Sequence, residues 1–257
     1  MQENHLKRSD VAFDLTGKTA VITGASSGLG ASMVLALSEH GAIIAVLDIK
    51  DKEGGELVKK LKTKSKFYHV DVSNESELKQ TVNSIKEDFG KIDILINNAG
   101  IFYPTPIEST SKEDWEKLMS VNVTGCFLMT KHCLPLMQSG GRIINISSVA
   151  GHHAFANSTA YNSSKGAVIQ MTKSMAVEYA SKGINVNAIC PGVFATPMTD
   201  ALLESKEMQD TIQRSVLLKR AGNSDELNGL AVYLASDECS YMTGSIITVD
   251  GGWTCHL

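Results

Sequence analysis

Thr19-Ala20-Val21-Ile22-Thr23-Gly24-Ala25-Ser26-Ser27-Gly28-Leu29-Gly30 is the stretch that decides the fold. Its first four residues form a short apolar run, the pattern of a strand buried on both faces of a parallel sheet. Thr23-Gly24 ends the run, and the glycines that follow allow a tight turn directly into a helix predicted over 28–40 and stopped by Gly41. At such a junction backbone can approach a pyrophosphate closely. The unpaired N–H groups and the positive dipole end of the helix both face the anion. The spacing is G-x-x-x-G-x-G rather than G-x-G-x-x-G. Taken alone, this turn also serves as a plain strand-to-helix connection.

The same alternation continues in both size and order. Strands are predicted over 42–47, 66–70, 92–96, 142–146, 184–189 and 245–249. Helices are predicted over 52–62, 75–89, 112–137 with Pro135 near its end, 159–181 and 225–235. The stretch 191–221 is less regular and reads as a loop with short helices. Strands alternating with helices over the whole length give a parallel sheet covered on both faces. No linker or composition break divides the chain. The expected fold is α/β: a single-domain, Rossmann-type doubly wound parallel sheet flanked by helices on both faces, over 16–257. A polar N-terminal arm over 1–15 precedes it, pinned by Val11, Phe13 and Leu15.

Of the 257 residues, 43% are hydrophobic, enough for a sizeable core, and the net charge is −4. No basic block stands out, which argues against nucleic acid as a partner. The Lys-rich stretch 50–66 is interleaved with Glu53, Glu56, Leu57, Val58 and Leu61, the pattern of an amphipathic helix with a solvated face. Five cysteines lack metal-ligand spacing and have mostly apolar neighbours. They read as buried free thiols in a reducing compartment, with no metal site. The first residues are polar, with no apolar signal region, and no stretch is apolar enough to span a bilayer. The expectation is a soluble, cytoplasmic protein with no membrane partner.

In open α/β sheets ligands bind beyond the carboxyl ends of the strands, where strand order reverses. Gly24, Ser26, Ser27, Gly28, Leu29 and Gly30 are placed there to hold a dinucleotide. Asp48, followed by Ile49, ends the second strand about 20 residues on, where a carboxylate accepts the adenosine ribose hydroxyls and repels a 2′-phosphate. NAD(H) is therefore preferred, with NADP(H) left open because Lys50 is adjacent. Asp71 and Val72, at the end of the third strand, are placed at the adenine edge. Further along, Tyr161 and Lys165 are four residues apart, on one face if the segment is helical. An ammonium near a phenol stabilises the phenolate, and such a phenol can act as a general acid/base. A lone pair of this kind is also an ordinary helix face.

Together these residues resemble the short-chain dehydrogenase/reductases of the classical type, over about 15–253. The motifs in order are Thr23-Gly24-x-x-x-Gly28-x-Gly30, Asp71, Asn97-Asn98-Ala99-Gly100, Asn122, Ser148, Tyr161-x-x-x-Lys165, and Pro191-Gly192 followed by Thr196. The resemblance implies that Tyr161 is the acid/base and that Lys165 lowers its pKa and holds the nicotinamide ribose. It selects Ser148, thirteen residues before the tyrosine, to hydrogen-bond the substrate oxygen. It makes Asn122 the residue whose local helix distortion holds a water in a proton relay. It implies that Asn98, Ala99 and Gly100 line the nucleotide site, and that Pro191, Gly192, Val193 and Thr196 engage the nicotinamide carboxamide. The implied reaction is NAD(P)-dependent interconversion of a secondary alcohol and a ketone by a homotetramer.

Substrate contacts are expected from 101–103, from 149–155 with His152 and His153, and from about 193–218, whose part after Pro197 reads as a lid. Ser148, His153 and Tyr161 are the expected substrate-binding set. The favoured substrate is of polyol, sugar or other cyclic alcohol type. A hydroxysteroid or a 3-oxoacyl thioester is the alternative, and a catalytically silent dinucleotide-binding regulator is the non-enzyme reading.

Overall fold

A computed structural model describes residues 12–255. Of the expected arm over 1–15, the part up to residue 11, including Val11, lies outside the described residues. Leu15 is fully buried, and its N–H donates to the His40 carbonyl at 2.9 Å, so chain order begins before the first strand. Phe13 packs edge-on against Tyr233, with ring centroids 6.4 Å apart.

The main strands are β1 (Thr19–Thr23), β2 (Ile43–Asp48), β3 (Ser65–His69), β4 (Ile94–Asn97), β5 (Arg142–Ile146), β6 (Asn185–Pro191) and β9 (Ile246–Val249). They form one seven-stranded parallel sheet in the order β3-β2-β1-β4-β5-β6-β9. Order reverses between β1 and β4, the switch point at which open α/β sheets bind ligands. The helices are α1 (Gly28–Glu39), α2 (Asp51–Val58), α3 (Glu75–Phe89), α4 (Lys112–Met119), α5 (Cys126–Cys133), α6 (Thr159–Tyr179), α7 (Asp200–Glu204), α8 (Lys206–Ser215) and α9 (Asn228–Ala235).

Successive strand residues point to opposite faces. Ile22, Ile96 and Ile144 pack with Met33 and Leu37 of α1 and Leu234 of α9 in one layer. Val21, Leu95 and Ile143 pack with Leu78 and Ile85 of α3 and Met129 of α5 in the other. Each fully buried aliphatic side chain contributes about 1.5–3 kcal/mol of transfer free energy. This two-sided burial explains why the strands read as continuous apolar runs. No helix among the described residues is long and apolar enough to cross a membrane. Four of the cysteines are buried thiols as expected, but Cys255 is exposed.

Two features differ from the sequence expectation. The helix predicted over 112–137 is broken: α4 and α5 are joined by a π-helical turn, Ser120–Gly125, and the end becomes the 3₁₀ turn Leu134–Leu136 around Pro135. The irregular stretch after β6 carries β7 (Phe194–Ala195), which pairs with β8 (Gly222–Asn223) in a separate two-stranded parallel sheet. That pairing closes the segment between them, including α7 and α8, into a flap rooted at both ends.

Candidate active site

The glycine turn is locked from below. The Thr23 hydroxyl accepts the N–H groups of Asn98 (3.1 Å) and Ala99 (3.0 Å), and the Asn98 side-chain amide donates to the Thr23 and Gly24 carbonyls (3.0 and 2.8 Å). Gly24 and Gly28 have φ of +60° and +55°, conformations that favour glycine. A Cβ on Gly30 would lie 2.2 Å from the Gly24 oxygen and 2.6 Å from the Asn98 amide nitrogen, so only glycine lets α1 start this close to the turn. Gly30→Ala is expected to weaken NADH binding at least about tenfold, read as Kd by fluorescence titration. The added methyl must push the turn off its Asn98 anchor.

The first turn of α1 contains no acid, whereas α2, α3 and α4 each begin with acidic residues. An uncluttered helix N-terminus fits an anion. Beside it, Asp48 is buried, and its two carboxylate oxygens accept the N–H groups of Ser26 (2.9 Å) and Lys50 (3.1 Å). The Ser26 hydroxyl is buried without a protein partner. Lys50 reaches back over the turn, and its ammonium donates to the Ser27 hydroxyl at 3.2 Å. Ile49 is exposed. The Asp71 carboxylate accepts the Ser73 N–H (2.8 Å) and hydroxyl (2.7 Å), and Val72 lies against Gly125 of the π-helical turn. The Val70 N–H donates to the Asp48 carbonyl at 3.0 Å, which brings the ends of β2 and β3 together as one adenosine-side rim.

Across the switch point, α6 carries Tyr161 and Lys165 one turn apart, as their spacing predicts. Lys165 is buried. Its ammonium donates to the Ile146 carbonyl at 3.0 Å, and its own carbonyl accepts the Ser147 hydroxyl at 2.8 Å. Ser148 caps the short turn Val149–Gly151, its Oγ accepting the Ala150 N–H at 3.1 Å, and its side chain sits near enough to the Tyr161 phenol to favour the phenolate. Gly151 must be small because a Cβ there would lie 2.8 Å from the Lys165 oxygen. Asn122 is buried in the π-helical turn. Its Oδ1 accepts the Ile101 N–H (2.8 Å), and its Nδ2 donates to the Ile101 carbonyl (3.0 Å) and to Ser164 Oγ (3.2 Å). A Cβ on Gly100 would come within 3.3 Å of Asn122 Oδ1 and 3.5 Å of the Lys165 nitrogen, so the three sit side by side.

Burial dominates the electrostatics of the pair. It pushes the Tyr161 phenol up to about 12, with Ser148 only partly opposing it. Burial also pushes Lys165 down to about 8. The ammonium is 5.6 Å from the phenol ring centroid and is turned to the Ile146 carbonyl. Loss of hydration penalises both charged forms and is the largest cause of each shift.

At the end of β6, the Gly192 N–H donates to the Val249 carbonyl at 2.9 Å, and Val193 is buried. The Thr196 hydroxyl pairs with that of Thr199 at 3.0 Å. A Cβ on Gly28 would lie 3.3 Å from the Thr196 side chain, so the loop after Pro191 closes onto the glycine turn. The structure thus brings the turn, Asp48, Asn98–Gly100, Asn122, Ser148, Tyr161, Lys165 and Thr196 around one crevice. His153 is half-buried and His152 exposed, with ring centroids 6.4 Å apart. No hydrogen bond between either ring and Tyr161 or Ser148 occurs among the described residues. Sequence reasoning missed Thr23 as the anchor under the turn and Ser164 as the partner of Asn122. Ser164 lies three residues after Tyr161 on the same helix, a spacing that could have identified it.

Three comparisons bear on this arrangement. A family model described as enoyl-(acyl carrier protein) reductase matches residues 24–254. An uncharacterised oxidoreductase of Thermotoga maritima is 42% identical, covering 94% of this chain and 99% of its own length. Among solved structures, an NADPH-dependent 3-quinuclidinone reductase from Rhodotorula rubra is 32% identical over 95% of this chain and 93% of its own, with a TM-score of 0.87. A Brucella melitensis protein described as a short-chain dehydrogenase/reductase, glucose/ribitol dehydrogenase, is 30% identical over 94% of this chain and 98% of its own, with a TM-score of 0.89.

Proposed function

The chain belongs to the classical short-chain dehydrogenase/reductase family of oxidoreductases, and from that premise we propose that it interconverts a secondary alcohol and a ketone, using NAD(H) in preference to NADP(H). The observation that carries this reading is the meeting of Tyr161, Ser148 and Lys165 beside the glycine turn, at the carboxyl ends of the strands. Nothing in the packing of a parallel sheet requires that set, which weighs against a silent dinucleotide-binding regulator.

The bound dinucleotide supplies or accepts the hydride. The chain's own residues do the rest. In reduction, Tyr161 Oη gives its proton to the oxygen of the reacting carbon; in oxidation it takes that proton back. The Ser148 hydroxyl donates to the same oxygen, and its hydrogen bond strengthens as charge grows there. With its phenol held near 12, Tyr161 carries its proton at neutral pH and is poised as the acid. Lys165, held by the Ile146 carbonyl, presents its remaining N–H groups for a ribose hydroxyl. Asn122 keeps Ile101 and Ser164 in place around them.

Asp48 supports the cofactor choice. Each carboxylate oxygen keeps a lone pair for a ribose hydroxyl while bound to backbone, and its charge opposes a 2′-phosphate. Asp48→Asn is expected to raise kcat/KM with NADPH relative to NADH at least about tenfold, because the charge that repels a 2′-phosphate is gone while the Lys50 ammonium stays beside the turn. An unchanged ratio removes Asp48 as the selector.

The relatives named above take a bicyclic ketone in one case and glucose or ribitol in the other, so both the cyclic-alcohol and the polyol readings start from the family. Hydroxysteroids and 3-oxoacyl thioesters remain the alternatives. Rates at the nicotinamide absorbance band over a panel of ketones with NADH and NADPH test the reaction class. Tight NADH binding with no turnover on any of them favours the regulator instead. We also propose a homotetramer. Phe127 on α5 and Val177 on α6 are exposed apolar residues, and a cavity of about 480 Å³ lies between those helices. Tyr241, just before the outer strand β9, is fully exposed. A single species at four times the chain mass in sedimentation is the expected result.

A further inference from the structure

We propose that the substrate is an apolar secondary alcohol or ketone carrying a ring or aryl body, and that Phe102 and the Phe155–Trp253 pair select it. The proposal rests on the alcohol–ketone reading above and deepens it.

Two walls flank the catalytic hydroxyls. On the Tyr161 side, Phe102 meets the phenol ring edge-on, with centroids 4.8 Å apart. Its position is fixed from the preceding residue, because Asn122 binds both the N–H and the carbonyl of Ile101. On the Ser148 side, the next residue, Val149, belongs to one buried apolar cluster with Val193, Ile212, Val216 and Trp253. Phe155 packs on the Trp253 ring at 4.9 Å, and its carbonyl is held by the Asn162 amide at 3.0 Å, on the same helix as Tyr161. The flap adds an apolar side chain to this wall. Ile212 of α8 is buried in the cluster, while Lys206, Glu207, Asp210 and Arg214 of the same helix are exposed on its outer side.

The polar inventory of the crevice is correspondingly short. Tyr161 and Ser148 supply two hydroxyls, and both are needed on the one reacting oxygen. The turn over 149–155 adds the half-buried His153 and the more exposed His152. Each additional hydroxyl placed against Val149, Val193, Phe155 or Trp253 would lose its water there. A ring, by contrast, gains contact with faces and edges of Phe102, Phe155 and Trp253.

Three six-membered ring ketones of matched size separate the possibilities: cyclohexanone, 4-oxocyclohexane-1-carboxylate, and the inosose bearing a hydroxyl on every other ring carbon. The readouts are kcat/KM with NADH and with NADPH, and ligand binding in the presence of NADH by saturation-transfer NMR. An apolar wall discriminates against added polar groups by about 100-fold, so cyclohexanone is expected to exceed both others by about that factor. Phe102→Ser should cut its advantage about tenfold, with NADH affinity and circular dichroism reporting that the variant is folded. Equal or better turnover or binding of the inosose or the carboxylate overturns the proposal, as does failure of all three to bind. Selective binding of cyclohexanone without turnover supports the apolar site and overturns the redox reading instead.

Discussion

Tyr161→Phe is expected to lower kcat for ketone reduction by about 10²–10⁴ while Kd for NADH changes by less than about threefold. The substitution removes one oxygen. The ring stays in its place against Phe102, and the backbone of α6 keeps its grip on Ser164, whose hydroxyl donates to the Tyr161 carbonyl at 2.8 Å. The loss should therefore fall on the proton-transfer step and not on cofactor binding. Single-turnover absorbance traces with NADH separate the two. A variant that retains most of its rate would mean that the proton comes from elsewhere.

Lys165→Met is expected to abolish most turnover and, at neutral pH, to stabilise the fold. A buried lysine held near 8 rather than 10.5 costs the folded chain about 3 kcal/mol when both states are protonated. Removing it leaves the Ile146 carbonyl short of a donor, a cost of about 1–3 kcal/mol, so a net gain of at most about 2 kcal/mol is expected at pH 7. The sign with pH follows from the lowered folded pKa. Between about 8 and 10.5 the unfolded chain binds more protons than the folded one, so wild-type stability rises with pH across that window. The raised phenol works in the opposite sense only above 10, where the unfolded tyrosine ionises first. The advantage of the methionine variant should accordingly shrink from pH 7 to pH 10. Urea unfolding of both proteins at the two pH values, without dinucleotide, checks it, and a gap that widens with pH contradicts the assigned cause.

Much of the fold was legible because a parallel sheet buried on both faces writes itself as apolar runs. Residues 75–89 and 142–146 were bounded as observed: Asn74 caps α3 through its side chain, Gly90 ends it at φ +81°, and every residue of β5 is buried. The glycine turn and the Tyr161–Lys165 spacing were equally readable, since both are local patterns. What stayed hidden depends on contacts between distant residues. Periodicity alone carried 112–137 as one helix, because no residue between Ser120 and Gly125 breaks a helix the way proline does. The π-helical turn coincides with Asn122's bonds to Ile101, a partner 21 residues away in sequence; only the family resemblance pointed to a distortion there. The strands at Phe194 and Gly222 are two residues each, too short to show a period. How deeply the Tyr161–Lys165 pair is buried stayed hidden for a related reason. Spacing shows that a cation is near, but not how much water both groups lose.

The account stands on one piece of geometry: a reacting oxygen shared by Tyr161 and Ser148, over a dinucleotide that enters along the glycine turn. A crystal structure of the chain with NADH and a slowly reacting ketone tests it most directly. The predicted result places the ketone oxygen within hydrogen-bond distance of both hydroxyls, the pyrophosphate at the N-terminus of α1 and the adenosine ribose on Asp48. A dinucleotide bound elsewhere, or a ketone oxygen out of reach of Tyr161, contradicts it.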